Sequence, residues 1–195
     1  MKQHASSQTR RQPLHTRHVT CTGYLRDDGL IDIEGSLLDT KHHDHDAYYK
    51  FVPAGTALHR MLIVMTVDLQ FVIHDLQAVT QDAPTPFCPE IVDAYKSLVG
   101  LQVGPGFKKR VAERVGGIKG CTHLTEMLGP MATTLIQSTF DLLRDAERER
   151  AASHPDYVAA TPFFVGTCNA HRPDRKEVRE RWPDSDPVRL ITSGE

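Results

Sequence analysis

No apolar run in this 195-residue chain approaches the ~20 residues of a membrane-spanning helix. The first residues, MKQHASSQTRRQPLHTRH, carry positive charge but no apolar segment, so no secretory signal is expected. Charge of one sign is missing too: 23 Lys and Arg stand against 25 Asp and Glu, a formal net charge of −2. A dedicated nucleic-acid binder would be clearly basic, so neither nucleic acid nor a membrane is an expected partner. There are four cysteines, widely separated and without a CxxC pair. In a chain without a signal segment they are expected to be reduced thiols rather than a disulfide framework. No Gly-Lys-Ser/Thr phosphate loop, internal repeat or low-complexity tract is present. A soluble, cytoplasmic protein acting on a small molecule is the expectation.

The hydrophobic pattern supplies the fold. Residues 1–14 are polar and aperiodic, and 183–195 look like a second loose end, leaving 15–182 as a single expected domain. From 15 to 80 the pattern is β. His15 to Arg26 is rich in strand formers, and Asp27-Asp28-Gly29 signals a hairpin. Leu30 to Lys41 alternates, which sets Arg17 level with Asp39. KHHDHDAYYKFVPAGTALHR (41–60) reads as a polar loop, Met61 to Val67 as a doubly buried strand, and Phe71 to Thr80 as a fourth strand. Beyond Pro89 the period becomes helical: one helix up to Gly100, a short basic one over Phe107–Val115, and a long one from about Thr122 to about Ala152, bent near Pro130. FFVGTC near the C-terminus reads as a short strand. Strands followed by helices indicate an α+β fold, an antiparallel meander packed by C-terminal α-helices.

Chemistry is expected where helices begin. Cys88 lies beside Pro89, Cys121 directly precedes the longest helix, and His123 follows in its first turn. Unpaired N–H groups there favour thiolate, a nucleophile or metal ligand. With Cys168 these residues make a tetrahedral zinc set of accepted composition, Cys88, Cys121, His123 and Cys168, with His59 as an alternative to Cys168. Lys41-His42-His43-Asp44-His45-Asp46 holds many ligand types but reads as a solvated loop. Gly100–Gly106, before Lys108-Lys109-Arg110, reads as turn chemistry rather than an anion cradle. Asp39 and Lys41, at the mouth of the His-rich loop, are candidates to line a pocket. Arg17, Lys41 and His59 are candidates to orient a carboxylate or shuttle a proton.

HTRHV (15–19), YLRDDGLIDIEGSLLDTK (24–41), PAGTALHRMLIVMTVD (53–68), PTPFCPE (84–90), LVGLQVGPGF (98–107) and GGIKGCTHLTEML (116–128) together resemble a bacterial family known as a domain of unknown function, the one numbered 2889. TCNAHRPDRKEVRERWP (167–183) resembles it more loosely. The resemblance implies that the positions of Cys88, Cys121, His123 and Cys168 belong to the family pattern, together with a His-Asp-Met triplet where this chain has His59-Arg60-Met61. Arg60 in place of the acid and Asn169 in place of a histidine after Cys168 are departures. The expected function is a zinc-dependent, hydrolase- or lyase-like enzyme for a small carbonyl or carboxylate compound, with His59, Arg17, Asp39 and Lys41 as catalytic candidates. The competing expectation is a non-enzymatic protein with a structural zinc or iron–sulfur site. Trp182 and the charged segment beside it are candidates for a homo-oligomer contact.

Overall fold

In the computed structural model, residues 9–154, 156–157, 160–162 and 164–182 are described. Four long strands form one antiparallel sheet in the order β1-β2-β5-β6: β1 (His15–Leu25), β2 (Ile31–Lys41), β5 (Ala57–Val67) and β6 (Ile73–Asp82). Between β2 and β5 the chain makes a two-stranded excursion, β3 (His45–Asp46) and β4 (Phe51–Val52), where a loop without strands was expected. Val52 and Ala47 bury themselves there with Leu58, which gives that segment a small core of its own.

The strands form because their apolar residues alternate. Ile31, Ile33, Gly35, Leu37 and Asp39 share the buried face of β2. Opposite them on β5 lie Val67, Met65, Ile63, Met61 and His59. Every position of that row but its last is apolar. The sheet's core face is therefore hydrophobic along most of its length and polar at one end. The turn between β1 and β2 runs through Gly29, whose φ of 82° suits a residue without Cβ.

After β6 the chain forms a 3-10 helix, Cys88–Leu98, where an α-helix was expected. Its two buried side chains, Tyr95 and Leu98, are three residues apart, the period of that tighter helix. Helix α1 (Phe107–Val115) occupies its expected span, and α2 runs from Thr122 to Ser153, continuous through Pro130. The first part of α2 lies on the sheet's buried face. A Cβ at Gly35 would stand 2.6 Å from Met131 Sδ, and one at Gly23 would stand 2.1 Å from Ser138 Oγ. Two glycines thus permit the close approach of helix to sheet. The fold is α+β, an antiparallel sheet packed by C-terminal helices.

The chain divides into two compact units, residues 1–138 and 139–195. The first contains the sheet, α1 and the first half of α2. In the second, Phe164 sits edge-on to Trp182 at 5.5 Å and near Phe140 at 5.9 Å, followed by helix α3 (Lys176–Arg181). Phe164, Val165 and Gly166 form a turn rather than the expected strand, with Val165 N–H donating to Pro162. Residues 1–8 and 183–195, most of the two expected tails, lie outside the described residues. Among the described residues, no helix is long and apolar enough to cross a membrane.

Candidate metal centre

The polar end of the core face is built by strand register. Arg17 on β1 and His59 on β5 are both directly opposite Asp39 on β2. Directly paired residues share a face, so a guanidinium, a carboxylate and an imidazole make one row across three strands. The register of β2 with β5 shifts between Asp39 and Thr40, a bulge at the row itself. Such bulges re-aim side chains at sheet ends. The first turn of α2 brings His123 over the row, and Glu126 follows three residues later on the same helix side.

Asp39 is the hub, with a side chain only 1% exposed. Arg17 grips it at two points, Nε to Oδ1 and Nη2 to Oδ2, both 2.8 Å. His15 Nε2 donates to Oδ1 at 3.2 Å, and His59 Nδ1 to Oδ2 at 3.1 Å. His123 Nε2 lies 3.8 Å from Oδ2, and its ring is 3.9 Å from that of His59, tilted by 33°. The third nitrogen of Arg17 reaches Glu126 Oε2 at 2.8 Å.

Electrostatics follow from that packing. Burial raises the Asp39 pKa, but hydrogen bonds from Arg17 and His15 outweigh it and bring it to about 2. Burial and the neighbouring His123 press the His59 pKa down to about 4, against the pull of Asp39. His123 is lowered as well, by burial first and by Arg17 second. At neutral pH Asp39 is a fixed anion held by Arg17, beside two uncharged imidazoles.

Tyr95 sets the height of α2 above the sheet. Its buried hydroxyl donates to the Cys121 carbonyl at 2.7 Å, accepts from the Cys121 N–H at 2.9 Å and meets Thr125 Oγ1 at 2.7 Å. Gly120 leaves room for this join, since a Cβ there would stand 2.1 Å from the Val115 carbonyl oxygen. Tyr95→Phe is expected to lower stability by about 1–3 kcal/mol, by stranding buried partners. Chemical denaturation of the two proteins checks this.

Among the described residues, one group of three or more potential ligands has its ligating atoms within 4.8 Å of one another: Asp39, His59 and His123. Three catalytic candidates from the sequence, Arg17, Asp39 and His59, meet in one place. Lys41 pairs in register with His15, two residues farther along β2. Of the four expected zinc ligands, His123 belongs to this group, and of the three thiols Cys121 stands beside His123. Cys88 Sγ lies 3.1 Å from Thr85 Oγ1, and Cys121 Sγ lies 3.9 Å from His123 Nδ1. Cys168 is exposed in the second unit, 3.2 Å from His171 Nδ1. Arg60 faces away from the site on the opposite side of the sheet, paired with Asp82 at 3.3 Å. Its departure from the expected acid therefore leaves the cluster intact. His15 and Glu126 were missed. His15 was detectable as the next residue on Arg17's side of β1, Glu126 as one helical turn beyond His123.

A family model described as a protein of unknown function, DUF2889, matches residues 15–137, the segment that holds every residue of the cluster. No curated protein and no solved structure matches the chain.

Proposed function

Because this chain belongs to the DUF2889 family, whose description assigns no activity, we propose a function from geometry: a divalent-metal centre ligated by Asp39, His59 and His123, acting on a small carboxylate or carbonyl compound. The convergence of these three groups within 4.8 Å carries the reading. Donors bonded to one tetrahedral ion at ~2.0–2.2 Å lie about 3.4 Å apart. The distances of 3.1 and 3.8 Å from Asp39 Oδ2 to His59 Nδ1 and His123 Nε2 straddle that value. Ligation through Nδ1 takes the His59 tautomer protonated on Nε2, in place of the hydrogen bond to Asp39. Two histidines and a carboxylate suit zinc, and suit iron(II) as well. We assign zinc, which matches hydrolase- or lyase-like chemistry.

Three protein ligands leave a coordination position free, as catalytic zinc sites do. The partly exposed side chains of His123 and Arg17, 24% and 36%, mark the side open to solvent. A zinc ion held there supplies a polarised carbonyl or an acidified water. The residues do the rest. His59, with its depressed pKa, offers a lone pair without first losing a proton to solvent. Arg17, and Lys41 beyond it, make the rim of the centre positive and so favour an anionic substrate.

A metal-free reading has one observation in its favour: Asp39 accepts from His59 Nδ1 and is already gripped by Arg17. That is the posture of a carboxylate orienting a general base. Elemental analysis and zinc titration of protein purified without a metal-affinity tag separate the two. One zinc per chain is expected, and His59→Ala or His123→Ala should weaken binding by about 100-fold or more. Cys121→Ser should leave it unchanged, whereas a thiolate-based site would lose affinity. Absence of any bound divalent ion would leave the acid–base reading in place.

A further inference from the structure

Beside this cluster, between α1 and the first part of α2, lies a pocket of about 380 Å³ lined by Phe107, Lys108, Val111, Glu126, Leu128 and Gly129, among others. Its volume is at the lower end of the range that holds small ligands. Glu126, on its wall, is the residue that Arg17 reaches from the Asp39 row. We propose that this pocket receives the apolar body of a compact monocarboxylate, with the carboxylate on the Lys108 ammonium; the proposal deepens the substrate class of the centre above and rests on that reading only for the reaction that follows.

The local sequence departs from what a helix prefers at this place. Gly129 and Pro130 sit inside a 32-residue helix, where glycine is disfavoured and proline removes a hydrogen bond. Both line the pocket. A Cβ at Gly129 would meet nothing within 4 Å, and its φ is unremarkable, so no contact or backbone conformation demands a glycine there. The space beside it is open, so a large side chain placed there has room to fill the pocket. Such local inconsistencies concentrate at functional sites.

The charge of the rim selects the ligand. Helix α1 opens Phe107-Lys108-Lys109-Arg110 with no acid in its first turn, so cations crowd the positive end of the helix dipole. Arg110 is occupied by the carbonyls of Pro105 and Gln102. Lys108 is the pocket's cation, while Glu126 is engaged by Arg17. With Arg110 and Glu126 so engaged, Lys108 is the rim charge that meets an anionic ligand.

Phenylacetate, acetate and phenylacetamide, titrated by calorimetry into tag-free protein with and without zinc, test this. Phenylacetate should bind about tenfold or more tighter than acetate, which lacks the ring, and than the amide, which lacks the charge. Gly129→Phe should fill the pocket and abolish phenylacetate binding without lowering the melting temperature. Lys108→Gln should weaken phenylacetate and leave the amide unchanged. Equal binding of phenylacetate and acetate, or undiminished binding by a folded Gly129→Phe protein, overturns the proposal. Zinc uptake is read on the same samples: ring binding without zinc leaves the pocket standing and removes the metal centre, and zinc uptake without ring binding does the reverse.

Discussion

Arg17→Met is expected to destabilise the metal-free protein by about 3 kcal/mol and, in the same variant, to tighten zinc binding. The first effect comes from Asp39. Its carboxylate is 1% exposed and receives two 2.8 Å bonds from the guanidinium. Without them burial acts unopposed except by His15 and His59, and the Asp39 pKa rises from about 2. Removing one member of a buried pair costs roughly 3–5 kcal/mol. The low end applies because Arg17 is itself 36% exposed and two imidazole contacts remain. The second effect has the opposite sign because a guanidinium and a zinc ion compete for the same two oxygens. Methionine fills the volume and removes the competitor, so affinity should rise by about tenfold or more. Asp39→Asn makes the contrast. It should lose zinc binding outright while disturbing stability less, since Arg17 keeps Glu126 and solvent. Denaturant titration and zinc calorimetry on both variants decide the matter. A loss of stability and affinity together in Arg17→Met would mean that Arg17 only holds the end of the sheet and that the cation does not reach Asp39.

How much of this centre the sequence discloses depends on how far each contact reaches along the chain. Arg17 and Asp39 belong to one hairpin. The Asp-Gly turn and the alternation of Ile31, Ile33 and Leu37 suffice to set them level, as the register confirms. His59 belongs to a strand that returns only after the β3–β4 excursion, and a bulge intervenes at the point of contact. Periodicity places a strand near Met61, but it contains nothing that fixes which residue stands opposite Asp39. His123 is set by a helix crossing, and that crossing depends on Gly23, Gly35 and the Tyr95 hydroxyl, a steric fit without a linear signature. Cys121 and His123 at the helix start mark the end of α2 that lies over the row. Cys121 marks where the helix begins, and its backbone is what Tyr95 grips. Asp39, level with Arg17 in the hairpin, is the most buried charge at the site. The polar end of an apolar row was visible in Ile31-x-Ile33-x-Gly35-x-Leu37-x-Asp39. An aspartate continuing a core-facing alternation is a stronger pointer than a cysteine at a cap.

Acidification should destabilise the protein in two stages. His59 has a folded pKa near 4 against an ordinary 6.5. Between those values the unfolded chain takes up a proton that the native state refuses, so stability falls as the pH drops through that window. The loss grows to about 3 kcal/mol by the time the pH reaches about 4, at ~1.4 kcal/mol per pKa unit. His123, lowered in the same direction, adds to it. Asp39 then contributes. Its pKa is about 2 against 3.8, so its stabilisation is complete above the ordinary value and disappears as the pH falls toward 2, a further ~2 kcal/mol. Urea midpoints measured at about pH 7, 5 and 3.5 should therefore fall continuously. His59→Gln, which cannot take up a proton, should reduce the upper stage to the share of His123 and leave the lower one. Bound zinc should steepen the upper stage, because protons then compete with the metal for the imidazoles as well as with the fold. A midpoint that stays level from pH 7 to about 4.5 in the metal-free protein would mean that His59 is not held neutral in the buried row. The lone pair offered to a cation or a proton at that position would then have no structural basis.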